Sequence, residues 1–321
     1  MTMTGGGAKN TLGTVMSALA VIAIGLFCIS LVWGSWTRTF LVEARSFGAT
    51  LTFRGNANAW ELEQAALCRE RAAPVLVADG DAALCPAAAF SVTGPDPRTI
   101  AWPDKAEVRL RLQPDNSLMI EGISGTEPAL AEGDRLVVPA ETWRRHGALV
   151  VNGSITFGGG IAPGANDYLV SGRWEARQES LASSMFRPTM EIVKQGELSR
   201  GASAEIWRGG WLWGLFAEGR PATVYGHVTP SFDSDTPGMV LSALSETSRV
   251  EMHLRYYGLE AFAVIRPDAL DTIMTSPVLL AAAAVLGVLA LILDVGKSLR
   301  GDGSAGRPTV TWFRRWLSRR E

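Results

Sequence analysis

Three histidines, His146, His227 and His253, are the side chains best suited to proton transfer or metal ligation, and their spacing supports neither. No H-E-x-x-H and no paired C-x-x-C accompanies them, so each reads as a surface or packing residue. Asp79-Gly80-Asp81 and Asp233-Ser234-Asp235 begin like calcium loops but lack the further oxygen ligands and the distal Glu. Both read as turns, which Asp and Gly favour. Gly158-Gly159-Gly160 lacks the Lys-Ser/Thr of a phosphate loop, and no G-x-S-x-G is present. Asn152-Gly153-Ser154 matches a glycosylation acceptor but falls inside a predicted strand. No catalytic, cofactor or metal site is expected.

Thiol chemistry is the exception. Cys68 and Cys85 are too far apart for a C-x-x-C redox pair and fit a structural disulfide of an oxidising compartment. Closing that loop would contribute roughly 3 kcal/mol. Cys28 lies within an apolar run and reads as a packing residue.

Recognition chemistry is suggested by two aromatic clusters. Trp207, Trp211, Trp213 and Phe216 fall close together, spaced by glycines, and serve either as a buried sheet core or as an exposed contact patch for a partner protein, a glycan or a membrane leaflet. Near the C-terminus Trp312, Phe313, Trp316 and Leu317 would form an apolar stripe on a helix over 310–320. Arg314, Arg315, Arg319 and Arg320 flank it. This pattern fits a helix lying at a lipid interface rich in anionic headgroups, a docking helix for a cytoplasmic partner, or a disordered basic flank.

The elements that would position these groups begin with two apolar runs. Residues 11–36 and 273–295 are each long enough to cross a bilayer, which needs roughly 20 residues. The first lacks the compact apolar segment and small-residue cleavage site of a signal peptide. Residues 296–321 carry seven Lys/Arg against two acids. By the positive-inside rule that end faces the cytoplasm, and two spans then put residues 1–10 there as well. Ala283 and Gly287 form a small-x-x-x-small pair suited to close helix packing. The apolar centres of the two runs, Leu12 to Trp33 and Pro277 to Leu293, contain no charge, which argues against an ion path.

Between the runs, residues 37–272 read as a periplasmic domain of short strands. Glu107 to Leu112 alternates cleanly, and Pro114 to Ser117 turns it into a hairpin with Leu118, Ile120 and Gly122. Asp167 to Gln178 alternates with Tyr168, Val170, Gly172 and Trp174 on one face. Two short helices are expected. One is capped by Asn58 with Glu61 and runs to about Arg71; the other starts at Pro139 and closes at Gly147. Thr93 to Pro103, with three prolines, reads as a linker or extended edge. A division into subdomains near 125–133 fits the glycines there.

The fold class expected is therefore a membrane protein, two transmembrane helices flanking a mainly-β, sandwich- or barrel-like extracytoplasmic domain with one or two short helices. The function expected is a non-enzymatic scaffold or assembly component of a larger envelope complex at a bacterial inner membrane. A ligand sensor signalling through the basic tail is the alternative, and a tethered periplasmic enzyme fits less well because no constellation supports it. Expected partners are other membrane or envelope proteins, anionic lipid at the inner leaflet and a second copy of the chain. With a net charge of −2, nucleic acid is not among them.

Overall fold

A computed structural model describes residues 38–75, 85–159, 166–179, 190–209, 219–231, 238–256 and 261–267, with scattered positions between 271 and 292. Strands β1 (Thr39–Ser46), β2 (Gly48–Phe53), β3 (Asn58–Glu70) and β4 (Phe90–Trp102) are followed by β5 (Glu107–Leu112), β6 (Leu118–Ser124) and β7 (Arg135–Val138). Helix α1 (Ala140–His146) leads into β8 (Leu149–Phe157), β9 (Leu169–Glu179), β10 (Met190–Leu198) and β11 (Ser203–Arg208). The two-residue β12 (Arg220–Pro221), then β13 (Val224–Ser231), β14 (Gly238–Ser245), β15 (Val250–Arg255) and β16 (Phe262–Ile265) complete the order.

All sixteen strands belong to one antiparallel sheet, with the path β10-β9-β1-β14-β13-β8-β2-β5-β6-β7-β3-β4 and a branch carrying β11, β12, β15 and β16. The branch starts on β8. Leu149 to Gly153 of that strand pair with β13, whereas Thr156 and Phe157 pair with β11 on the same side. From β11 the ladder continues to β15 and then β16.

Between β1 and β2 the chain turns a corner at Phe47. Ser46 Oγ donates to the Gly48 carbonyl at 2.6 Å. A side chain at Gly48 would overlap Asp167, so only glycine lets these backbones approach. Alternation then fills one core: Phe53 stacks on Trp102 with centroids 5.3 Å apart, and Trp60 meets both rings edge-on. All three side chains are fully buried. The curled sheet brings β3 against β8 through side chains. The Trp60 indole N–H donates to the Val150 carbonyl at 2.8 Å, and Asn58 Oδ1 accepts from the Asn152 amide at 3.1 Å.

These findings correct the expected fold class. The described domain is a mostly-β antiparallel sheet with a single helix, and no helix among the described residues is long and apolar enough to cross a membrane. Helix α1 has 7 residues, a rise of about 10 Å against a hydrocarbon core of about 30 Å. The first apolar run, 11–36, lies outside the described residues, as does the tail 296–321. Within 273–295 the described positions are helical and exposed. A sandwich or barrel is also corrected. The corner at Phe47 and the shared edge of β8 carry one ladder through the whole domain, and among the described residues its path ends at β10 and β4 without closing.

The Asn58 helix is overturned as well, because that segment is β3. Trp60 and Leu62 point inward with Glu61 and Glu63 outward, and the Asn58 side chain spends its hydrogen bonds on Arg54 and β8 rather than on a cap. The other expected helix is α1, preceded by Pro139 and ended by Gly147 at φ 79°. The chain divides into two compact units, one ending at Thr275 and the other starting at Ser276. The stretch 125–133 links β6 and β7, which are neighbours in the sheet.

Candidate functional site

Period-two alternation gives the branch two faces. Ala204, Ile206, Val250, Met252 and Leu254 point into the core. The opposite face carries Glu205 and Trp207 from β11, Glu251, His253 and Arg255 from β15, and Phe262 and Val264 from β16, with Arg266 just beyond. Register sets Glu205 opposite His253, Trp207 opposite Glu251, His253 opposite Val264 and Arg255 opposite Phe262.

The rings form a stack. Trp207 and His253 lie 4.9 Å apart at 10°, and His253 and Phe262 lie 4.5 Å apart at 14°. The imidazole is thus covered on both faces. Its edge is fixed as well, with Nε2 2.9 Å from Glu251 Oε1. The other oxygen of Glu251 accepts from Arg266 Nε. The Trp207 indole N–H donates to Glu205 Oε2 at 2.8 Å.

The two carboxyls are pushed in opposite directions. Burial raises Glu205 above the ordinary carboxylate range, against the lowering effect of the Trp207 bond and of nearby His253 and Arg255; the Glu107 charge adds to the rise. Burial also acts upward on Glu251, but the hydrogen bonds and charges of Arg266 and His253 outweigh it and hold this carboxyl below its ordinary value. Among the described residues no group of three or more His, Cys, Asp or Glu is placed to hold a metal ion. What the arrangement supplies is a rigid surface of planar groups, with rotamers locked by stacking and hydrogen bonds.

Of the residues singled out by sequence, Trp207 lies in this face, half-buried. Trp211, Trp213 and Phe216 lie outside the described residues, as do Trp312, Phe313, Arg314, Arg315, Trp316, Leu317, Arg319, Arg320 and Ala283. Gly287 is helical, with nothing within 4 Å of an added Cβ. Cys68 and Cys85 are joined in a disulfide, with Cα atoms 6.1 Å apart. They are buried beside Phe90, Met119 and Val137 in a second apolar cluster. The acceptor at Asn152 sits in β8, where its amide and carbonyl are engaged by Asn58 and Arg54.

The reading of His253 as a packing residue agrees with its place between two rings; its partners Glu251 and Phe262 were missed. The signal was present as E-x-H-x-R and F-x-V-x-R alternation, but not the pairing that sets these strands side by side. Compared with protein-family models, curated proteins and solved structures, the chain matches none.

Proposed function

We propose that this domain is a non-enzymatic assembly or accessory module of a larger envelope complex, working in the oxidising, extracytoplasmic compartment by offering the outer face of β11, β15 and β16 to a partner protein. The observation that carries this reading is the exposure of β16. Phe262 is 47% and Val264 39% exposed, and Ala263 on the opposite face is exposed too. A four-residue apolar strand open on both faces is a surface that proteins blunt with charge or cover with a partner. The ring stack behind it is prepaid in order, since planar groups held in place lose little freedom on binding. The buried disulfide supports the compartment.

The test is purification of the full-length chain from its own cells, beside a Phe262→Asp variant shown to fold by a cooperative thermal transition. The expected result is a stoichiometric partner with the parent chain and its loss with the variant. Recovery of both chains alone would overturn the reading.

A further inference from the structure

The ring stack ends at an open face. Its centroid spacings of 4.9 and 4.5 Å match the roughly 4.8 Å between neighbouring strands, so each strand adds one planar group to a ladder. The ladder is diagonal. Trp207 lies opposite Glu251 but stacks on His253, two residues further along; His253 lies opposite Val264 but stacks on Phe262. A fourth strand beside β16 would place its own planar group against the exposed side of Phe262.

We propose that this strand is β16 of a second copy of the chain, antiparallel about a two-fold axis at Ala263. The inference rests on the proposed use of this face and names one occupant for it. Residues directly opposite in a sheet share a face, and centring on Ala263 satisfies this by setting Phe262 against the partner's Val264 and the reverse. The small Ala263 side chain, exposed in the single chain, lies at the axis. One more diagonal step from Phe262 arrives at the partner's Arg266. Its planar guanidinium then lies over the ring as a cation–π contact, and Arg266 does the same for the partner's Phe262.

The short strand therefore holds both halves of a reciprocal contact, which is what an isologous interface requires. The two Arg266 side chains fall at opposite ends of the pairing, roughly 20 Å apart along the strands. Glu251 already balances Arg266, so the edge does not present the unbalanced positive charge that would select an acidic peptide.

The experiment uses the full-length chain. Across an antiparallel pair, opposite Cα atoms lie about 4.5–5.5 Å apart, within the range a disulfide bridges. Ala263→Cys under mild oxidation is expected to give a covalent dimer on a non-reducing gel. Tyr225→Cys, on an exposed part of β13, and the unmutated chain, which retains Cys28, are not. Light scattering should give a dimer mass for the parent and a monomer mass for Phe262→Asp, which still unfolds in one cooperative transition at a lower melting temperature. A monomeric parent together with no Ala263→Cys dimer overturns the two-fold pairing. If in that case Phe262→Asp still loses a different partner protein, the assembly reading survives the loss of this inference. A dimer recovered from cells without any other protein supports the pairing and removes the larger complex.

Discussion

Glu205 and Glu251 stand on neighbouring strands of one face, and their opposite shifts give opposite dependences on pH. For Glu205 the folded value lies above the ordinary 4.5. The folded state therefore holds this proton longer than the unfolded chain does, and stability falls as pH rises from the ordinary value through the raised one. Glu205→Gln, which keeps an acceptor for the Trp207 indole, is expected to gain stability relative to the parent across that interval and to hold the gain at neutral pH. For Glu251 the folded value lies below 4.5. Its contribution is present above the ordinary value and is lost as pH falls through the lowered one. Glu251→Gln should therefore be less stable than the parent at neutral pH, with the difference closing in acid. Urea unfolding from acid to neutral pH checks both, and parallel curves for the two variants would contradict the assignment. Neither carboxyl was legible as special in sequence, because the rise at Glu205 comes from burial in the folded sheet and the fall at Glu251 from Arg266, just beyond the next strand, and its neighbour His253. Trp207 was legible from its aromatic surroundings. That it would stack on a histidine was not.

At the scale of elements, β8 pairs with three strands, β2, β13 and β11. A methyl group at Gly153 would overlap the Thr52 carbonyl oxygen of the paired strand, and backbone cannot yield as a side-chain tip can. Gly153→Ala should cost about 3 kcal/mol, at the upper end of overpacking effects, read as a lower denaturant midpoint with an unchanged slope. A loss below about 0.5 kcal/mol, the size of an ordinary surface change, would show that β2 and β8 are not so closely apposed. Elements with purely local causes were legible. The β5–β6 hairpin follows from alternation and its Pro-Asp-Asn-Ser turn, with Asn116 at φ 62°, and α1 follows from its Pro and Gly brackets. The prolines of β4 fit a strand at the end of the sheet. Elements with long-range causes were misread. Asn58 looked like a cap because its bond to β8 could not be foreseen. In β9 the buried residue is Leu169 rather than Tyr168 or Val170, because a register shift at Arg45/Ser46 changes the parity of the pairing. Strand β14 was missed because Val240 and Leu244 make its outer face apolar as well.

For the whole molecule, the disulfide is the covalent tie most open to test. Cys68 and Cys85 are 17 residues apart in sequence, so replacing both with Ala should lower unfolding free energy by roughly 3 kcal/mol in the chain-entropy model. Reductant should then leave the variant's denaturant midpoint unchanged while lowering the parent's. Equal midpoints for parent and variant without reductant would show that the bond contributes nothing. The mainly-β character of the domain was legible from recurrent alternation, but its joining into one branched sheet was not, because it depends on one edge of β8 serving two neighbours. That shared edge also divides the molecule in time. Among the described residues β11 meets β8 through two residue pairs, Ala204 with Phe157 and Glu205 with Thr156, so the amide protons of the branch should exchange with deuterium as one group, ahead of those in β1, β2 and β5. A protein that settles on β16 would slow that group alone, making the exchange map a direct readout of which part of the fold feels its partner.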